Sequence, residues 1–248
     1  MTAPRLPLFC LLLVSALARA ETAYVAAAPE LAEPMAVIAE HFRRETGHAL
    51  KLTYGAPGRL AERVATGDTF ELFVTISHGD DGVPGIEPSA RKTLASGIIG
   101  LYIPAHSHLH DLESLDETLN ALIYGDYRKI ALPDPRYDPY GAAAMEALQS
   151  GGLWTMRSDR SIRVESAAQV TPFAASWNVD AAVIPAALLH DPALAGEGRY
   201  FPVPETWHAP LGLHAILAAG AGVAAREFYE FLGTEEVKRV LEERGYRK

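Results

Sequence analysis

The sequence predicts an α/β fold of two lobes joined by a hinge of two crossing strands. Three observations lead there. Short apolar strands alternate with segments of helical period. The loops between them follow an order that suits two lobes crossed by two strands. The chain, at 248 residues, is long enough for two small domains.

The elements follow in order. Thr22 to Ala28 is short and apolar, a buried strand, and Leu31, Met35, Ile38 and Phe42 then recur at helical spacing. Pro34 suits a first turn and Gly47 an end. Leu50, Leu52 and Tyr54 form the next strand, before the tight loop Gly55-Ala56-Pro57-Gly58. A helix from Leu60 stops near Gly67, and Glu71 to Ile76 is a third strand. Residues 78 to 88, rich in Gly, Asp and Pro, read as a loop. Strands follow at 98–103, 129–132, 161–164, 181–184 and 211–218. Helices are expected at 112–123, 140–148, 167–175, 224–232 and 235–243. Such alternation implies parallel sheets covered on both faces, with ligands at the carboxyl ends of the strands. The loops after Ala28, Tyr54, Ile76, Leu132, Val164 and Ile184 are therefore where a ligand is expected. One lobe is expected to comprise residues 21–103 and 212–248, the other 104–211.

Residues 1–20 stand apart. Arg5, the apolar run Leu6 to Leu17 and the small-x-small Ala18-Arg19-Ala20 have the order of a secretory signal cleaved after Ala20. The run is too short to span a bilayer; a lipid anchor on Cys10 is the alternative. Cleavage leaves 20 basic against 31 acidic residues, a formal charge of −11, and removes Cys10, the only cysteine. The expected mature protein is a soluble periplasmic chain with no membrane insertion. Its charge argues against nucleic acid, and it can form neither a disulfide nor a thiolate metal site. No G-x-S-x-G, H-E-x-x-H, Walker or G-x-G-x-x-G motif is present, so no enzyme is expected.

Several segments carry a resemblance. They are Val25-Ala26-Ala27-Ala28 with the helix ending Arg43-Arg44-Glu45-Thr46-Gly47-His48, then Gly55-Ala56-Pro57-Gly58-Arg59-Leu60-Ala61 and Glu71-Leu72-Phe73-Val74. Asp134 followed by Pro139-Tyr140-Gly141, Glu165-Ser166-Ala167-Ala168-Gln169, Phe228 to Leu232 and Gly245-Tyr246 complete the set. Together they resemble the periplasmic molybdate-binding protein family over nearly all of the mature chain. The resemblance implies a two-lobed periplasmic-binding-protein fold that closes about a hinge, usually the capture subunit of an ABC importer. In the family an oxyanion is held by hydroxyls and backbone N–H groups. Those ligand positions fall on Pro29, Pro57, Tyr140, Ala167 and Pro185, with one extra residue near Glu30. Proline has neither hydroxyl nor N–H, and each lost charged hydrogen bond costs about 1.5–3 kcal/mol. Molybdate is therefore expected to bind no tighter than high micromolar.

Histidine and carboxylate are the expected replacements. His78 follows the third strand at the cleft end, with Asp80 and Asp81 beside it. Glu30 sits at the first cleft loop and His208 just before the Leu211 strand. His106, His108 and His110 alternate, and in an extended segment would point to one side. Imidazole and carboxylate suit Cu(II), Zn(II) or Ni(II). His41, His48, His190 and His214 are expected to be structural. The leading expectation is thus a periplasmic solute-binding protein holding a transition-metal ion, copper first, as an uptake protein or metallochaperone. Its partners would be a small inorganic ion and an ABC permease or a periplasmic metalloenzyme. A molybdate- or tungstate-type oxyanion subunit of an ABC importer and a partner-binding scaffold without small ligand are the alternatives.

Overall fold

In a computed structural model, residues 20–79, 88–153, 158–194 and 198–248 are described. The signal segment, Cys10, Asp80 and Asp81 lie outside the described residues.

Two five-stranded sheets of matching design make up the two lobes. The first holds β1 (Thr22–Ala27), β2 (Ala49–Tyr54), β3 (Leu72–His78), β4 (Pro88–Ser96) and β10 (Leu211–Ala218), in the order β2-β1-β3-β10-β4. The strands β2, β1 and β3 are parallel, and β10 runs antiparallel between β3 and β4. The second sheet holds β5 (Ile99–Ile103), β6 (Ile130–Pro133), β7 (Ser161–Val164), β8 (Ala181–Pro185) and β9 (Arg199–Pro202), in the order β7-β6-β8-β5-β9. Again three strands are parallel, and one antiparallel strand, β5, joins them to an edge. The central strands β3, β5, β6 and β8 are buried almost throughout, as continuous apolar runs covered on both faces must be.

Helices α1 (Ala32–Thr46), α2 (Pro57–Ala65), α6 (Val223–Phe231) and α7 (Glu235–Glu243) belong to the first lobe. Helices α3 (Leu115–Ile123), α4 (Pro139–Ser150) and α5 (Val170–Ala174) belong to the second. Their ends follow local chemistry. Gly47 takes the left-handed φ of 77° that closes α1. The Ser114 and Thr234 hydroxyls accept from Glu117 N and Val237 N at the starts of α3 and α7. Residues 167–169 form a 3₁₀ turn before the short α5, where one continuous helix was expected.

The expected boundary between lobes needs correction. Ile99–Ile103 was assigned to the first lobe, yet β5 pairs with β8 and β9 in the second sheet. The chain crosses at Gly97–Ile98 and returns through residues 203–210, so Leu211 already belongs to the first sheet. Gly97 N donates to Leu211 O at 2.8 Å, which ties the two crossings together. A Cβ at Gly97 would lie 2.9 Å from Tyr140 Oη and 3.2 Å from the Ile76 side chain, so the crossing has no room for a larger residue. The edge strands β4 and β9 were not foreseen, because alternating exposed polar residues and short length carry little apolar signal.

One apolar cluster runs through both lobes, from Val25 and Phe42 to Leu132 and Tyr140. At its centre in the first lobe Phe42 meets Phe228 at 4.9 Å between centroids and Phe231 at 5.5 Å. Both Phe42 and Phe228 are wholly buried. Phe228→Ala is predicted to destabilise the protein by about 3–5 kcal/mol, measured by urea unfolding.

Candidate functional site

The carboxyl ends of the parallel strands in the two sheets face each other across the cleft, and the site is made by the turns that leave them. After β1 comes the 3₁₀ turn Pro29–Leu31, and after β2 comes α2, with Pro57 in its first turn. From the second lobe come the loop Asp134–Asp138 after β6 and the turn Ala167–Gln169 after β7. The Pro29–Leu31 turn packs directly on the Ala167–Gln169 turn, so the lobes meet at the point where the resemblance places an oxyanion.

At that point there is already an anion, and it belongs to the chain. Asp138 is the N-cap of α4, and its Oδ1 accepts from Tyr140 N at 2.9 Å. Its Oδ2 accepts from Ala167 N at 2.7 Å. These are the two backbone donors that the resemblance assigned to the ligand. Asp138 is only 2% exposed, and burial pushes its carboxyl up to about 6 against the two N–H bonds that favour the charge. Asp138 is not among the site residues expected from sequence, although an Asp before Pro at a helix start is a readable capping signal.

Glu30 lies in the same buried cluster, supplied by the turn of the opposite lobe. It is 6% exposed and its Oε2 has no hydrogen-bond partner among the described residues. Burial, and then the negative charge of Asp138, push its carboxyl up to about 8, so it is protonated at neutral pH. The hydroxyls of Tyr140 and Tyr246 are likewise buried and interact with each other, and burial holds both well above the ordinary phenol range. Of the prolines, Pro29 opens the turn that carries Glu30, Pro57 opens α2, and Pro185 ends β8 opposite Ile99. None supplies an N–H.

The lobes are in contact. Gly58 N donates to Tyr137 O across the cleft at 2.8 Å, and a Cβ at Gly58 would lie 2.8 Å from Tyr137 Cα. The Arg59 guanidinium covers the Tyr137 ring at 3.9 Å and pairs with Glu165 at 3.2 Å. His78 Nε2 lies 2.9 Å from Glu146 Oε2, which also accepts from Ala209 N. Beside Asp138 a cavity of about 490 Å³ remains between the lobes, with Thr75, Ser77, His78, Tyr137 and His214 in its walls. His214 Nε2 is 2.9 Å from Ser77 Oγ, and its Nδ1 is 3.1 Å from Thr93 Oγ1. No local residue pattern marks this pair; it exists because β10 runs antiparallel to β3.

The candidate metal ligands do not converge. His78 is at the cleft, as expected, but it pairs with Glu146 rather than Glu30. His208 Nδ1 meets the Ala209 carbonyl. His108 and His110 lie in a 3₁₀ turn, His108–Asp111, so the alternation of an extended segment does not apply. His106 meets Val179 O and stacks on Trp177 at 4.8 Å, while His108 pairs with Asp126. Among the described residues no group of three or more His, Cys, Asp or Glu side chains could hold a metal ion.

Two predictions follow from this geometry. Glu30 holds a proton in the native state that the unfolded chain gives up above the ordinary carboxyl range near 4.5. Its contribution to stability is therefore full below that range and lost as pH rises to about 8. Over pH 7–8, above the range of Asp138, wild-type stability should fall by about 1 kcal/mol per pH unit, and Glu30→Gln should flatten the profile in urea unfolding. Gly58→Ala should leave the melting temperature within a few degrees but prop the lobes apart, seen as a larger radius of gyration in X-ray scattering.

Comparison with known proteins agrees with this architecture. The chain is 26% identical to the molybdate-binding protein ModA of Rhodobacter capsulatus over 228 residues, covering 89% of this chain and 86% of that protein. It is 24% identical to ModA of Azotobacter vinelandii over 243 residues, covering 94% and 93%. The solved periplasmic molybdate-binding protein of Azotobacter vinelandii superposes with a TM-score of 0.77 at 21% identity, covering 91% of this chain and 99% of that one, a likeness of fold. The sequence pattern of the bacterial extracellular solute-binding proteins matches residues 23–247, and the chain belongs to that family.

Proposed function

We propose that this chain is the solute-capturing component of an ABC-type importer, working outside the cytoplasm, and that its cargo is a small oxyanion held between the lobes. One observation carries this reading. The N–H groups of Tyr140 and Ala167, from two separate turns of the second lobe, converge on one negative centre facing the Pro29–Leu31 turn of the first. Two aligned N–H donors with a helix N-terminus behind one of them are suited to an anion and unsuited to a metal cation. The named relatives, all molybdate-binding proteins, support the same class of cargo. Copper or another transition metal, as cargo of a metallochaperone, has less support, because its candidate ligands have separate partners.

Isothermal calorimetry at pH 7 with molybdate, tungstate, sulfate, Cu(II) and Zn(II) tests the assignment. The expected outcome is one oxyanion bound per chain, no tighter than high micromolar because Pro29, Pro57 and Pro185 supply no donors and Asp138 competes for two others. Stoichiometric binding of Cu(II) with all oxyanions silent would replace this reading by the metal-carrying one. Silence with all five would leave a partner-binding scaffold.

A further inference from the structure

Oxyanion binding places a second negative charge where Asp138 already has one. The two cannot share the Tyr140 and Ala167 N–H groups, since each group has one proton to donate and both are taken at 2.9 and 2.7 Å. An additional anion beside a carboxylate that is 2% exposed would meet unscreened repulsion. Something must remove the charge on Asp138 first, and the cluster contains what is needed. The groups facing it are Glu30 from the first lobe, Tyr140 on its own helix and Tyr246 from the chain's C-terminal end. No cation is among them: Arg136, two residues away, is held by Asp134 at 2.6 Å. His78 and His214 stand across the neighbouring cavity with partners of their own.

We propose that Asp138 is a built-in anion that makes oxyanion binding proton-linked: the oxyanion takes the N–H groups of Tyr140 and Ala167 as Asp138 takes up one proton from solvent and lets them go. Glu30 completes the site. It enters the cluster from the turn where Pro29 replaces the family's hydroxyl-bearing residue, and its buried Oε2 is unpartnered among the described residues. Carrying a proton, it donates to the oxyanion the hydrogen bond that Pro29 cannot. The balance is one proton in for each oxyanion in, with no bond made or broken except O–H. Burial raises both carboxyls toward the pH range in which such an exchange can operate. The inference rests on the oxyanion reading, deepens it by naming what admits the anion, and makes Asp138 and Glu30 the residues that set its specificity.

The test has one arm without ligand and one with it. In the unliganded protein the amide resonances of Tyr140 and Ala167 should titrate together between pH 5 and 7 in wild type and lose that step in Asp138→Asn. Amides that do not titrate would overturn the proton link whatever the cargo is. With sulfate and molybdate as probes, wild-type affinity should fall about tenfold per unit as pH rises from 6 to 8, as one linked proton requires. Asp138→Asn, whose side chain has no charge to lose, should bind more tightly than wild type at pH 7 and keep only the slope that Glu30 adds as it ionises toward pH 8. Glu30→Gln keeps a donor and should retain the slope set by Asp138, whereas Glu30→Ala should weaken binding at every pH; equal binding by Glu30→Ala would overturn the role of Glu30. Oxyanion affinity that is constant with pH would overturn the proton link alone. Amides that titrate, with no oxyanion bound by wild type at pH 6 or by Asp138→Asn at any pH, would instead overturn the oxyanion reading.

Discussion

A carboxylate removed from water must find donors or give up its charge. Asp138 finds two, and they come from different turns: one from the start of its own helix, the other from the turn after β7. A single side chain thereby caps α4, pins the Ala167–Gln169 turn against it, and sets the face that the second lobe presents to the first. The Pro29–Leu31 turn then packs on that face, and Glu30, carried there by the same turn, is buried. Its proton is the physical consequence: two buried carboxyls in one cluster, with no cation beside them among the described residues, are stable only if one of them is neutral.

The contacts around the cleft separate into two kinds. Gly58 N to Tyr137 O is a backbone bond that requires close approach, which the missing Cβ at Gly58 permits. Arg59–Glu165 and His78–Glu146 are half-exposed pairs, each worth little. Closure therefore draws mainly on apolar burial and backbone fit along one cluster shared by both lobes, and the ion pairs set alignment more than strength. The cavity beside Asp138 is where this packing is incomplete. Its lining by Ser77 and His214 leaves polar groups facing space on the first-lobe side.

The family relationship and the site chemistry are separate matters. The fold is that of a solved molybdate-binding protein. The side-chain donors that the resemblance implies are replaced: prolines stand at Pro29, Pro57 and Pro185, and two carboxyls, Glu30 and Asp138, have come in. A scaffold of this kind keeps its closing geometry because that geometry is made by backbone and core, while its ligand preference resides in a few side chains at the strand ends.

Much of the fold was legible from sequence for a physical reason. Apolar periodicity and glycine or capping residues are local signals, so the parallel strands, α1, α3 and α7 lie close to where residue patterns place them. Sheet membership is a long-range property: β5 follows β4 after a two-residue crossing, and only its pairing with β8 and β9 puts it in the second lobe. The same holds for the site. The resemblance implies five ligand positions, three of them proline, and residue order alone puts Glu30 at the first cleft loop. The sequence could not show that Asp138 reaches Ala167, 29 residues away, because that contact exists only when β6 and β7 lie side by side. Nor could it separate the histidines, whose spacing suggested a shared face until a 3₁₀ turn and unrelated partners divided them. Side-chain type and local spacing are written in the chain; which buried group occupies a ligand's place is settled by distant segments packing together, where burial and charge then set its protonation.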